Sequence, residues 1–100
     1  MKKKETRIEI RNKILEAIAK ERIDQESMFP AEYDDQTVQV DLNHMVSVII
    51  KYLGNIANQA VNQVDVEQVN YFEITENAIK CSAVFVAMIE AIISTGNSKL

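Results

Sequence analysis

The stretch LNHMVSVIIKYLGNIANQA, residues 42–60, decides the fold. Val46, Ile49, Leu53, Ile56 and Ala60 follow alternating steps of three and four, with Leu42 one turn earlier. That is the spacing of one face of an α-helix, not the period of two that a half-buried strand needs. The spacing predicts a helix from about Asp41, placed to cap it, to Gln63. Beyond Gly54 the chain holds one other glycine, Gly96, and a single proline, Pro30, so tight hairpins have few places to form.

Helices are expected on both sides of this segment. From about Thr6 to Glu26 there is no glycine or proline; Ile8, Ile14, Leu15 and Ile18 make an apolar stripe, and Glu9–Lys13 and Glu16–Lys20 are i,i+4 pairs in the favourable order. The pattern breaks at Met28-Phe29-Pro30, and Asp34 and Asp35 form turns. Thr37 to Val40 alternates briefly, but four residues without a partner strand make no sheet, so they read as loop or as the start of the next helix. After Asp65 a third helix is expected from about Glu67 to Ser94, stopped by Thr95-Gly96-Asn97. It carries two stripes: Ile74, Ala78, Cys81, Phe85, Met88 and Ile92, and Ile79, Ala83, Val86 and Ile93. A helix apolar nearly all round must be covered on more than one side. The expected architecture is therefore all-α: one domain over residues 1–100, with a basic tail at 1–5, a loop at 27–40 and a C-terminal tail at 95–100. Three long antiparallel helices form a bundle that self-association completes.

Composition narrows the function classes. At 100 residues only about two-thirds of the unfolded chain's surface can be buried, so excess apolar helix surface favours an oligomer. The net charge is −4, and Lys2, Lys3, Lys4, Arg7, Arg11 and Lys13 cluster at one end of the sequence instead of spreading over a folded face; duplex nucleic acid is not an expected partner. Cys81 is the only cysteine, which excludes an intrachain disulfide, fits a reducing compartment and reads as a core residue. Lys2 to Lys4 precede the charged run Glu5 to Lys13 where a signal peptide needs apolar residues. Ala78 to Ser94 is short for a bilayer span and includes Lys80, Ser82 and Glu90. A cytoplasmic protein without a membrane partner is expected.

Two polar stripes remain. Lys51, Asn55, Asn58 and Asn62 share one face of the second helix; Glu73, Asn77 and Lys80, with Glu76, share one near the start of the third. Packed antiparallel, the stripes would face one another as a polar strip inside an apolar bundle, where ligand sites are built. Otherwise they are solvated faces, with Glu76–Lys80 an exposed ion pair. His44 is the only histidine, so a multi-histidine metal site is excluded, and no phosphate-binding glycine loop or nucleophile elbow is present.

The run from Glu21-Arg22-Ile23-Asp24-Gln25 to Met28-Phe29 resembles the Glu-Arg-x-x-Gln-x-x-Lys-aromatic opening of phage-encoded, MazG-like all-α nucleotide pyrophosphohydrolases. Lys51-Tyr52-Leu53-Gly54-Asn55 stands in the frame of that family's Glu-Glu-x-Gly-Glu helix core, and residues 77–91 look like its last helix. The similarity runs from about Ile14 to Ile93. In the family, carboxylates hold Mg²⁺ against a triphosphate, and a hard cation needs such oxygen donors. Here the matching positions are Lys51, Tyr52, Asn55, Asn77 and Lys80, so the resemblance implies a scaffold that no longer catalyses and needs no cofactor. A lysine in place of a metal still neutralises phosphate.

The resemblance thus implies a homo-oligomer that binds a nucleotide or nucleotide-derived signal, in a phage setting by sequestering an immune signalling nucleotide. The expected ligand-binding residues are Arg22, Gln25, Phe29, Lys51, Tyr52, Asn55, Asn77 and Lys80, with Phe29 and Tyr52 as stacking platforms. Two alternatives stand beside it: a helical module that inhibits or bridges a host protein, and a Mg²⁺-dependent pyrophosphohydrolase in which Glu73 and Glu76 replace the lost carboxylates.

Overall fold

Thr6 starts the first helix: its hydroxyl accepts a hydrogen bond from the Glu9 amide at 3.1 Å, satisfying one of the donors a helix start leaves open. The computed structural model describes residues 4–29, 33–63 and 65–100; Lys2, Lys3 and the break at Pro30 lie outside the described residues. Within them the chain forms α1 (Arg7–Asp24), α2 (Val38–Ala60) and α3 (Tyr71–Ser94), with one 3₁₀ turn at Val66–Gln68, and no strand among the described residues. The all-α reading holds.

Local chemistry sets the ends. α2 begins three residues before Asp41. Asp34 makes the turn instead: its carboxylate accepts from the Gln36 amide at 2.8 Å, and its carbonyl accepts from the Thr37 and Val38 amides. Asp41 lies in the first turn, where a negative charge suits the helix dipole. α3 starts later than expected because the 3₁₀ turn uses Asp65 as its cap; Asn70 then caps α3 by accepting from the Glu73 amide at 3.0 Å. At the far end Gly96 has φ +75°, the left-handed conformation that closes a helix, and the Gly96 and Asn97 amides donate to the Ile93 and Ile92 carbonyls. On α1, Lys13 bonds Glu5 at 2.8 Å, not Glu9.

α3 is the middle element, packed on α2 along one side and on α1 along another. Cys81, Val84, Ala87 and Ala91 meet Met45 and Ile49 of α2, and Phe29 from the loop closes the cluster. Ala83, Ala87 and Ala91 are fully buried, and their small size permits close helix approach. Asn55 meets Asn77 and Gln59 meets Glu73, so α2 and α3 run antiparallel.

The seam of α2 needs a correction. The face against α3 is Leu42, Met45, Ile49, Tyr52, Asn55, Ile56 and Gln59; Val46 and Leu53 point away and are 44% and 51% exposed. The helix is rotated from the purely apolar register because Asn55 and Gln59 find hydrogen-bond partners inside the interface, which removes the penalty for burying amides.

Much apolar surface stays bare. Every residue of α1 from Arg7 to Glu16 is exposed, and only the second half of that helix is covered by α3. The chain exposes 7700 Å², against about 5,800 Å² for a folded monomer of this length. Its radius of gyration is 16.2 Å, against about 13 Å.

Candidate functional site

The polar strip forms, and it closes on itself. Asn55 Nδ2 donates to Asn77 Oδ1 at 3.0 Å, and Asn77 Nδ2 donates to the Glu73 carbonyl at 2.8 Å. One turn on, Gln59 Nε2 donates to Glu73 Oε2 at 3.1 Å, while Gln59 Oε1 accepts from the Asn70 amide at 2.9 Å. The ladder ties the last turns of α2 to the capped start of α3. Asn58, Asn62, Glu76 and Lys51 remain exposed and outside it. The expected strip is therefore split: its inner half is interhelical and its outer half is solvated. Gln59 and Asn70 take part without having been singled out from the sequence; the spacing of Gln59 from Asn55 on the same helix face was the signal for it.

The residues of the Glu-Arg-x-x-Gln segment lie at the crossing of α1 and α3. Arg22 is 5% exposed, and its Nε donates to Glu90 Oε1. Gln25, 7% exposed, donates from Nε2 to the Lys80 carbonyl at 3.2 Å and to Glu21 Oε1 at 3.4 Å. Phe29 is 2% exposed, part of the core, with the His44 ring 5.4 Å away at a 50° tilt. Tyr52 is half-buried against the same core. Of the eight expected ligand-binding residues, Arg22, Gln25, Phe29, Tyr52, Asn55 and Asn77 are engaged in internal contacts. Lys51 is exposed, and Lys80 is half-buried.

Lys80 joins a hollow lined mainly by charged side chains. It is about 200 Å³, lined by Lys20, Glu21, Asp24, Glu76 and Lys80 with Ala17 and Ile79, between α1 and α3. Two cations face three anions there. No three Asp, Glu, His or Cys residues among those described stand close enough to share a metal ion. Glu73, proposed as a replacement ligand, is held by Gln59, and Glu76 lines this hollow.

Among the described residues, three groups have perturbed acidity. Burial raises the Cys81 thiol, consistent with a core residue. Burial also raises the Tyr33 phenol, with Arg22 opposing the shift and Asp41 and Glu90 adding to it. Lys13 is raised by its hydrogen bond and attraction to Glu5. None of the three groups lines the polar hollow between α1 and α3.

Within the described residues, α3 is long and apolar enough to cross a membrane by length and composition, with a mean hydropathy of 1.6. It is also the helix that the other two flank, and Glu73, Asn77 and Glu90 on it bond to α2 or α1. The core helix of a folded domain meets the same criterion. No family model matches the chain, and neither a curated protein nor a solved structure matches it.

Proposed function

We propose that the chain is a non-catalytic helical binding module that works by association through apolar helix surfaces. The observation behind this reading is the imbalance between its two kinds of surface. The polar residues that would form a site are largely occupied by one another, while the chain exposes about a third more area than a monomer of its length is expected to. Ile8, Leu15, Ile23, Val86 and Ile89 are among the large apolar side chains left exposed, and exposed apolar patches mark interaction sites. A cytoplasmic location fits a lone buried thiol.

Hydrogen exchange tests this reading on dilute chain, concentrated chain and chain recovered from its native extract with whatever is bound. Protection over α1 or the outer side of α3 upon association is expected. Unprotected amides in all three samples, together with Mg²⁺-dependent pyrophosphate release from a nucleoside triphosphate, would overturn it in favour of the hydrolase reading.

A second reading, a MazG-like scaffold that binds a nucleotide or nucleotide-derived signal, is favoured by Lys20 and Lys80 lining one hollow. Lys20 and Lys80 can each pair with a phosphate oxygen, against the repulsion of Glu21, Asp24 and Glu76 in the same hollow. Calorimetry with linear and cyclic nucleotides should then show binding that Lys80→Glu abolishes; no heat at millimolar ligand would sink it.

A further inference from the structure

The first half of α1 and one side of α3 both leave large apolar side chains exposed, among them Ile8, Leu15, Val86 and Ile89. Helix segments of two or three turns are marginal in water on their own, yet Arg7 to Glu16 is helical, capped by Thr6 and exposed at every residue, with Ile10, Ile14 and Leu15 bordering Ile79 and Val86 of α3. Ile8 and Leu15 on this arm are 68% and 57% exposed. α3 uses one side for α2 and a second for α1; its third side, with Val86, Ile89 and Ile93, borders an apolar hollow of about 460 Å³. A second hollow of about 420 Å³, between Leu15 and Ile23 of α1 and Val86 of α3, shares Val86 and Glu90 with the first, so the two form one groove.

Charge points the same way. From Lys4 to Glu16 the arm holds four basic and three acidic side chains, whereas the charged lining of the groove is Glu26 and Glu90 with Arg22. An arm of net positive charge and a groove of net negative charge on one chain attract between copies. The chain exposes about 1,900 Å² more than a monomer of this length, polar and apolar area together, which leaves room for the roughly 800 Å² that each partner contributes to a standard interface.

We propose that two copies form a symmetric dimer in which the projecting half of α1 of each lies in the groove along the third side of α3 of the other. The proposal rests on the association-module reading and specifies the partner as a second copy. The arrangement is isologous, so one contact occurs twice and closes the assembly. Each α3 is then covered on all three sides.

Sedimentation equilibrium of the full chain tests it, with circular dichroism on each variant. The wild type is expected to be a dimer. Leu15→Glu on the arm and Ile89→Glu on α3 should each weaken dimerisation by about thirtyfold or more, as for an interface hot spot. Ile50→Glu, on the outer side of α2, should leave it intact. Both disrupting positions are exposed in the single chain, so helicity should be kept. Carbodiimide coupling in an equal mixture of light and ¹⁵N-labelled wild-type chain gives an independent reading: mixed-isotope links from Lys4 or Lys13 to Glu90 are expected. A dimer that survives both variants, or fails only with Ile50→Glu, overturns this geometry and leaves the module reading standing. A chain monomeric at about 0.1 mM overturns the dimer itself; the hydrogen-exchange comparison then decides the module reading separately. A monomer that co-sediments with phosphatidylcholine vesicles overturns both.

Discussion

Asn55 on α2 and Asn77 on α3 are joined side chain to side chain at 3.0 Å, twenty-two residues apart in sequence and partly buried between their helices. Because Asn77 also donates to the Glu73 carbonyl, its side chain is oriented from within α3 itself. Asn77→Ala should therefore cost about 1–3 kcal/mol by leaving the Asn55 amide short of a partner. The double change Asn55→Leu with Asn77→Leu should recover most of that loss, since two apolar groups leave nothing unsatisfied. Thermal unfolding of the two single variants and the double variant checks this. Additive losses would mean that the amides do not act as a pair.

The Arg22–Glu90 pair fastens α1 to α3, with Arg22 almost fully buried and the Glu90 side chain 37% exposed. Solvent at Glu90 screens the attraction, so the coupling should be smaller than in a fully buried pair. A double-mutant cycle with Arg22→Ala and Glu90→Ala should give about 1–2 kcal/mol of interaction energy. Either single change should also raise hydrogen exchange in the second half of α1 before that in α2. Uniform exchange over all three helices would show that the pair does not fasten α1 in particular.

Cys81 is 5% exposed in the core, and burial raises its thiol above the ordinary value of 9.0. The thiolate is the reactive form, so Ellman's reagent at neutral pH should label it only as the chain unfolds. The sign for stability follows from the raised folded-state pKa. The contribution is complete below the ordinary thiol pKa and is lost as pH climbs through the raised one. Cys81→Ala should remove that alkaline component from a stability–pH profile while leaving the neutral region flat.

Tyr33 offers a change in the opposite direction. Its hydroxyl oxygen is buried without a hydrogen-bond partner. Tyr33→Phe removes an unsatisfied group and keeps the ring, so stability should stay level or rise by up to about 1 kcal/mol. Chemical denaturation reads this as a shift in midpoint at constant slope.

These residues also mark where the sequence is readable. Thr6 and the Thr95-Gly96-Asn97 stop lie within a residue or two of the observed ends of α1 and α3, because caps act through neighbours close in sequence. The two stripes of α3 foretell a helix packed on more than one side, but they miss its buried face: Val84, Ala87 and Ala91 lie in the core and belong to neither stripe, while Phe85 is exposed. The facing direction of α2 is different. Asn55 fits either a strip between helices or a solvated face, and Gln59 draws no notice, because their partners, Asn77, Glu73 and Asn70, come from another part of the chain and no local pattern announces a partner eleven to twenty-two residues away. Arg22 and Gln25 are hidden for the same reason: an arginine and a glutamine on a helix look like surface or site until Glu90 and the Lys80 carbonyl are placed beside them.

Gly54 separates two uses of the outer side of α2. It lies mid-helix, and a Cβ added there would meet nothing within 4 Å. In an exposed helix interior, Gly→Ala stabilises by about 0.5–1 kcal/mol, since glycine loses more backbone freedom on folding. Yet Val46, Ile50, Leu53 and Val61 around it are exposed, so this side is also apolar enough to receive a partner helix. A partner helix packed tightly there would make the extra methyl a clash. If association runs through α1 and α3, Gly54→Ala should raise the melting temperature and leave the dimer's dissociation constant unchanged. A variant that melts higher when dilute but dissociates more readily when concentrated would move the interface to α2.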